Sequence, residues 1–432
     1  IFEKIKNDNH EQLVFCNDEA LGLKAIIGIH NTVLGPAIGG TRMWNYSSDN
    51  EALKDVINLS KAMSYKSSLA GLNAGGGKAV IIGDIKLKSE SFIKRFADFI
   101  NDLNGKYWTA QDVNMSTKDI VWVKERSNYV VGLPKEHGGL GDSSSPTAYG
   151  VYVGIKSAIK HITGTDSLKD KKVLVQGVGN VGRKLVNHLL EEGAIVSVVD
   201  INQENIEKLS LDKVNVINEN EIYNNSYDIL SPCALGGTIN VNSLKNIKCD
   251  IIAGAANNQL GDDTLVPKML QEKKILYVPD FLINAGGIIS VYHEQINDID
   301  EKKVMEMTES IYDKVSDVLD HSIKNSTTTN SSAIQLAKER IKEHFRIFSS
   351  ILEKEEGIIP ELVIREGDKV TEVLAQVKDD PEVGIIVLGA GVSNEGPGPL
   401  VTQLVARQGG SLPVPVTIVP GSMTKESIVA VS

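Results

Sequence analysis

Two periodicities alternate along this 432-residue chain. Short apolar runs such as Leu23-Lys-Ala-Ile-Ile-Gly-Ile29 predict strands, and apolar positions spaced by three and four between Glu51 and Met63 predict a helix. Their mixture over residues 10–135 predicts an α/β unit. A stretch rich in Gly, Ser and Pro, from Gly132 to Pro146, then reads as a linker or hinge.

Beyond the linker the pattern becomes regular. A helix around Thr147 to Lys160, a strand Lys172-Val-Leu-Val-Gln176, a helix from Asn180 to Glu192 and a strand Ile195-Val-Ser-Val-Val-Asp200 follow at βαβ spacing, which predicts a parallel sheet covered on both faces. Asp228-Ile-Leu230, Cys249-Asp-Ile-Ile-Ala253 and Ile275-Leu-Tyr-Val278 are further buried-strand candidates. Each is followed by glycine, asparagine or proline, so their carboxyl ends are expected to carry binding loops. Helical periodicity returns over residues 300–355, broken by Ser, Thr and Asn between Asn325 and Ser332.

Composition narrows the partners. An apolar fraction of 41% and a charged fraction of 23% are those of a globular protein. The net charge of −11, with no basic stripe, argues against nucleic acid and for small molecules. Three cysteines without CxxC spacing suggest neither disulfides nor a metal site and fit a reducing, cytoplasmic compartment. No apolar run reaches the roughly 18 residues a membrane span needs.

Gly177-Val-Gly-Asn180-Val181-Gly182 directly follows a predicted strand and opens a predicted helix. Gly177 permits the tight turn, Gly179 lets the backbone reach a pyrophosphate, and Gly182 lets helix pack on strand, while the helix N-terminus meets the negative charge. Asp200 ends the next strand, where its carboxylate can accept hydrogen bonds from the adenosine ribose hydroxyls. That charge repels a 2′-phosphate and no arginine follows it directly, so NAD is expected over NADP.

A second cluster carries chemistry. Gly71-Leu-Asn-Ala-Gly-Gly-Gly-Lys78 places Lys78 after a glycine run, with Lys66 twelve residues earlier and Asp112 in Thr109-Ala110-Gln-Asp112 some thirty later. Alone, the run reads as a turn. With two lysines and a carboxylate around it, it reads as a site whose bare backbone admits a small substrate.

With these residues in view, the first 355 or so positions resemble the family of glutamate, leucine, valine and phenylalanine dehydrogenases. The resemblance rests on Gly35-Pro-Ala-Ile-Gly-Gly-Thr-Arg-Met-Trp44, Met63-Ser-Tyr-Lys66, Gly75-Gly-Gly-Lys78, Thr109-Ala-Gln-Asp-Val113, Pro146-Thr-Ala-Tyr-Gly-Val151, Ala253-Gly-Ala-Ala-Asn-Asn-Gln259 and Pro279-Asp-Phe-Leu-Ile-Asn-Ala-Gly-Gly287, in the family's order. The family commonly has Ala-Glu-Asp-Val-Gly where this chain reads Ala110-Gln-Asp-Val-Asn114, and the linker Gly138 to Ser145 also departs from it.

The resemblance implies an α/β fold with a substrate and oligomerisation domain over residues 1–135, joined by returning helices at about 330–355, and a Rossmann-type doubly wound NAD domain over 136–329. It implies reversible, NAD-dependent oxidative deamination of L-leucine and other branched-chain amino acids to 2-oxo acids and ammonia by a homo-oligomer. Lys66, with Asn258, would hold the substrate carboxylate; Lys78 would be the catalytic lysine and Asp112 its proton shuttle. Thr147, Asn257 and Asn284 would surround the nicotinamide and its ribose. Gly39, Ile38, Ala110, Ile288 and Val291 would line the substrate, the last four forming an apolar pocket in which an unpaired distal carboxylate is costly. The convergence of two lysines in a closed cleft is expected to depress Lys78. The same chemistry on valine or phenylalanine is the near alternative. A non-catalytic nucleotide-binding stress or regulatory protein is the distant one, against which Lys66, Lys78 and Asp112 together speak.

From Gly357 the composition changes: seven of the thirteen prolines lie beyond it, with only three lysines and one asparagine. Glu361 to Asp368, a helix to about Lys378, Gly384 to Gly389, a helix near Leu400 to Gln408 and Val414 to Pro420 read as βαβαβ and resemble the C-terminal half of a universal stress protein. A docking or oligomerising appendage, a nucleotide site at Gly389 to Gly398 and a gene fusion are the readings this segment allows.

Overall fold

A computed structural model describes residues 9–222, 225–356, 369–380, 383, 385–390, 401 and 414–420. The chain divides into a large unit, Asn7–Ile358, and a second made of Ile1–Lys6 and Ile359–Ser432. No helix among the described residues is long and apolar enough to cross a membrane.

The large unit contains two sheets. The first has the order β1-β2-β4-β3-β5, from β1 (Gln12–Asp18), β2 (Leu23–Asn31), β3 (Ala37–Trp44), β4 (Gly75–Ile82) and β5 (Tyr107–Gln111). β3, β4 and β5 are parallel, and β2 runs antiparallel to β4. Helix α1 (Asp49–Leu69) covers one face. Helices α2 (Glu90–Asn101) and α3 (Thr117–Lys124) lie on the other, over a core that includes Phe92, Phe96, Ile100 and Tyr107.

The apolar half of α1, Ala52, Leu53, Val56 and Ile57, packs on Ile26 and Val80. Its later half presents serines instead: Ser60, Ser64, Ser67 and Ser68 are all buried. Helix period therefore continues in small residues, which explains why α1 outlasts the Glu51–Met63 pattern and carries Lys66 in its last turn. The serines face glycines. A Cβ on Gly28 would lie 3.0 Å from Ser60 Oγ, and one on Gly76 only 2.0 Å from the backbone nitrogen of Ser64. The three glycines Gly75 to Gly77 thus lie on a strand and not in a turn, and the missing side chain at Gly76 admits helix α1. On the opposite face, a Cβ on Gly77 would meet the Tyr107 ring at 2.7 Å.

The second sheet is wholly parallel, with the order β11-β10-β9-β6-β7-β8, built from β6 (Lys172–Gln176), β7 (Ile195–Val199), β8 (Asn215–Val216), β9 (Tyr227–Pro232), β10 (Cys249–Ile252) and β11 (Leu276–Tyr277). In sequence order this is 3-2-1-4-5-6, with the switch point between β6 and β9, where doubly wound sheets take ligands at their carboxyl ends. The two-residue β8 is too short to leave a periodic signal.

The helices of this region are α4 (Ser144–Thr163), α5 (Asn180–Glu191), α6 (Gln203–Glu207), α7 (Leu265–Glu272), α8 (Asp280–Ile283), α9 (Gly286–Gln295), α10 (Glu301–Glu309) and α11 (Ile311–Asn325). Helix α12 (Thr329–Glu356) returns to the first sheet. There the Arg340 guanidinium donates to Leu72 O at 2.7 Å and Gly71 O at 3.2 Å, fixing the turn that joins α1 to β4.

The linker is tied down by one side chain. Glu294, on α9, accepts backbone hydrogen bonds from Gly132 at 2.7 Å, Leu133 at 3.2 Å and Leu140 at 2.8 Å.

In the second unit, α13 (Lys369–Asp379) precedes two parallel strands, β12 (Ile386–Ala390) and β13 (Val416–Pro420), with Ile386 opposite Val416. The strand expected at Glu361 to Asp368, and the helix expected near Leu400 to Gln408 apart from residue 401, lie outside the described residues.

Gly76→Ala is expected to destabilise the protein by roughly 3 kcal/mol, because α1 or the strand must move to admit the methyl group. A Cβ at Gly179 meets nothing within 4 Å, so Gly179→Ala should stay within about 0.5 kcal/mol of the parent. Urea unfolding midpoints check both, and equal midpoints for the two variants would refute the packing argument.

Candidate active site

Alternation along three parallel strands places the polar groups on one face. Gly76, Lys78 and Val80 of β4 share the face that α1 covers, since Gly76 abuts Ser64 and Val80 packs among the residues of α1. On β3 the same parity gives Ile38, Gly40 and Arg42; on and just after β5 it gives Trp108, Ala110 and Asp112. Lys78, 7% exposed, points its ammonium at Asp112 Oδ2, 2.6 Å away. Arg42 Nε reaches the same oxygen at 3.3 Å. Burial works to raise the Asp112 pKa, but the Lys78 and Arg42 charges hold its carboxyl below the usual carboxylate range.

Lys66 enters this face from α1. Its Nζ donates to Asn284 Oδ1 at 2.6 Å, and the Asn284 amide donates in turn to Ala255 O at 3.1 Å and Asn257 Oδ1 at 2.8 Å. A neutral amide does little to offset desolvation. Burial therefore pushes the Lys66 ammonium down to about 8, aided by repulsion from Lys78 and resisted by Asp280 and Asp112. Lys66 is the lysine left without a carboxylate at hydrogen-bond distance, because Lys78 has taken Asp112 as its partner. Asp280, buried behind Lys66, is raised by desolvation against the pull of the Gln259 and Phe281 N–H groups and of Lys66.

An apolar wall adjoins these charges. Ile38 and Ile288 are buried in one cluster, with Ala110, Val291 and Trp108 packed against it. Ala110 and Val291, 181 residues apart, come within reach of one point, for a Cβ on Gly132 would lie 3.9 Å from Ala110 Cβ and 3.7 Å from Val291 Cγ1. Gly39 lies off this face. Its carbonyl accepts the Tyr107 hydroxyl at 2.6 Å, and a Cβ there would strike Gly77 O at 1.7 Å. Gly39 thus lets β3 and β4 approach.

The glycine turn at the carboxyl end of β6 has room for a phosphate at one place. Gly177 has φ +94°, a Cβ on Gly182 would lie 2.0 Å from Gly177 O, and Gly179, the N-cap of α5, alone of the three faces open space. Asn180 and Val181 form the first turn of α5, whose free N–H groups point the same way. The residues present therefore fit a dinucleotide pyrophosphate. Asp200 accepts from the backbone of Val178 and of Asn202, both at 2.8 Å, so it is fixed beside the turn.

Thr147, in the first turn of α4, donates its hydroxyl to Ser143 O at 2.8 Å and stands 3.3 Å from where a Cβ on Gly287 would be. Asn257 and Asn258 are exposed on the loop after β10, Asn258 with φ +52°. The hydrogen-bonded partner of Lys66 is Asn284, which the sequence placed only with the nicotinamide. Arg42, Asp280 and Glu294 were not singled out from sequence. Arg42 was legible, as it shares strand parity with Ile38. Glu294 was not, because its partners are backbone N–H groups more than 150 residues away.

The model described as "Glu/Leu/Phe/Val dehydrogenase, dimerisation domain" matches residues 10–129, and that described as "Glutamate/Leucine/Phenylalanine/Valine dehydrogenase" matches residues 138–204 and 201–346. Leucine dehydrogenase of Bacillus subtilis is 43% identical over 361 residues, covering 83% of this chain and 99% of its own. Phenylalanine dehydrogenase of Thermoactinomyces intermedius is 43% identical over 357 residues, 82% of this chain and 97% of its own. The crystal structure of L-tryptophan dehydrogenase from Nostoc punctiforme superposes with a TM-score of 0.72 at 40% identity, covering 80% of this chain and 99% of that one. Both family models end at residue 346 or before, so they lend no support to the stress-protein likeness of residues 357–432. A lysine–carboxylate pair beside an apolar wall, a glycine turn on a doubly wound sheet and these matches agree: the chain belongs to the glutamate, leucine, phenylalanine and valine dehydrogenase family, pyridine-nucleotide-dependent oxidoreductases acting on the CH–NH2 group of amino acids.

Proposed function

We propose that this amino acid dehydrogenase deaminates L-leucine and other branched-chain L-amino acids with NAD, reversibly, to a 2-oxo acid and ammonia. The observation that carries the reading is the Lys78–Asp112 pair, set on one face with Lys66 and walled by Ile38, Ala110, Ile288 and Val291. The fixed Asp200 carboxylate beside the glycine turn supports NAD over NADP, since it would repel a 2′-phosphate. A distal carboxylate against this wall would be buried without a partner. The "dimerisation domain" description of residues 10–129 supports assembly with further copies.

In this reading the Lys66 ammonium binds the substrate carboxylate, with Asn258 as a second donor, and its own charge is restored by that pairing. Asp112 accepts the proton that leaves the substrate ammonium, giving the neutral amine. A nicotinamide held beside Thr147, Asn257 and Asn284 would supply the hydride acceptor for Cα. Lys78 guides water to the resulting iminium carbon and stabilises the developing oxygen charge while the proton lost by water passes to solvent; Asp112 then gives its proton to the amine, and as ammonia leaves, the regenerated Asp112 carboxylate takes the hydroxyl proton. Asn284 ties the carboxylate anchor to the loop carrying Asn257, so both ligands are held by one connected set of side chains. Thr147, Asn257 and Asn284 orient the nicotinamide end. Closure about the linker at 132–146 excludes water during turnover.

Lys66 binds a carboxylate only when protonated, and its free pKa is about 8. The inhibition constant of 4-methylpentanoate, competitive with leucine, should therefore be flat below about pH 8 and rise about tenfold per unit above it. A constant that does not change between pH 7 and 10 would remove Lys66 as the anchor.

For substrate choice, kcat/KM measured on leucine, valine, phenylalanine and glutamate should place leucine first. Glutamate should lie at least about a hundredfold lower, from the unpaired carboxylate. Preference for phenylalanine would transfer the assignment to the aromatic branch.

Lys78→Ala should abolish turnover while NAD still binds, and Asp200→Ala should chiefly weaken NAD. Calorimetric titration with NAD beside initial rates separates the two effects; loss of NAD binding in the Lys78 variant would contradict the division of roles.

A further inference from the structure

The catalytic face holds a charged group that the proposed chemistry leaves without a task. Arg42 lies on β3, two residues beyond Gly40, and its guanidinium is bound at two ends: Nε to Asp112 Oδ2 at 3.3 Å and Nη1 to Asp55 Oδ2 at 3.1 Å. Asp55 belongs to the second turn of α1 and accepts the Tyr46 hydroxyl at 2.5 Å on the same Oδ2. A chain of five side chains, Tyr46–Asp55–Arg42–Asp112–Lys78, thus runs from the β3–α1 loop and helix α1 over β3 and β4 to the residue that follows β5.

The geometry separates two functions within one carboxylate. Lys78 faces Asp112 from β4 and serves the attacking water. Arg42 stays charged at every pH at which an enzyme works, so it cannot exchange a proton with Asp112; it can only orient and charge-stabilise it. Because Asp55 and Tyr46 grip the far side of the guanidinium, the fork is fixed before any substrate arrives. We propose that Arg42 is a positioning residue, held by Asp55 and Tyr46, that fixes Asp112 in place and keeps it ionised as the proton acceptor. The assignment deepens the reading of Asp112 as proton shuttle and rests on it.

Charge accounting supports this role. The groups acting on Asp112 are Lys78 from β4, Arg42 from β3, Lys66 from α1, the Tyr107 hydroxyl from β5 and the N–H of Val113. When Lys78 turns to the developing oxygen charge during turnover, Asp112 shares its close mobile cation with the substrate. Arg42 then remains as the fixed charge, and without it a buried carboxylate would take a proton and cease to accept one from the substrate. Asp55 balances the positive charge of Arg42 on its far side.

The test compares Arg42→Gln, Arg42→Lys, Asp55→Asn and Asp112→Asn in the full chain. In Arg42→Gln the acid limb of the kcat/KM profile for leucine should move up by about one pH unit, the shift expected for losing a cation at this distance. Asp55→Asn should move it in the same direction by less, and Arg42→Lys should bring it back toward the parent while kcat stays reduced. A readout independent of turnover is the 13C carboxyl resonance of Asp112, assigned by its absence in Asp112→Asn, whose titration in the apoprotein should shift upward in Arg42→Gln. An acid limb and a resonance both unmoved in folded Arg42→Gln would overturn the proposal; if that variant does not fold, an unmoved limb and resonance in Asp55→Asn would do so. Turnover surviving in Asp112→Asn would instead refute the proton-shuttle reading, while the resonance still reports whether Arg42 sets the ionisation of Asp112.

Discussion

Helix α1 sits on strand β4 at a separation that no side chain at Gly76 would allow, and the active-site charges hang from that contact. A Cβ there would be 2.0 Å from Ser64 N, well inside any tolerated approach. Because the helix is drawn in so closely, Lys66 in its last turn and Asp55 in its second reach the same sheet face as Lys78 and Arg42. A looser seat would move Lys66 away from the Lys78–Asp112 pair and break the chain that grips the guanidinium. The turn after α1 is locked separately, by Arg340 from the returning helix α12.

On that frame the site is a problem in charge placement. Three cations and one catalytic carboxylate share a poorly hydrated face, and each cation is stabilised differently. Lys78 has Asp112, Arg42 has Asp112 and Asp55, and Lys66 has a neutral amide. The group with the weakest partner carries the depressed pKa and the capacity to gain most from a substrate carboxylate. In the proposed chemistry binding is thereby favoured where compensation is missing, while the Lys78–Asp112 pair is complete before the substrate enters.

Much of the fold could be read directly from period and punctuation. The strand at Lys172–Gln176 and the helix opening at Asn180 match the structure because buried parallel strands and glycine-capped helices leave strong local signals. The small-residue half of α1 did not stand out, since serines that pack on glycine look polar in any apolar pattern. The glycine run taken alone resembles a turn for the same reason: a strand whose side chains are absent carries no alternation. Arg42 could have been found by extending the strand parity of Ile38 and Gly40.

Sequence by itself determined which chemical groups exist and in what local setting: a lysine after three glycines, an acid two residues past Ala110, a glycine turn between strand and helix, and a family of related chains. These are local or inherited facts, fixed by spacing along the backbone. Tertiary structure decided which groups are partners. Lys78 chose Asp112, Lys66 was left to Asn284 from 218 residues away, and Glu294 took the linker N–H groups. Such choices depend on distances of a few ångströms between elements far apart in the chain, and a pKa follows the nearest charge and the local hydration rather than the order of residues.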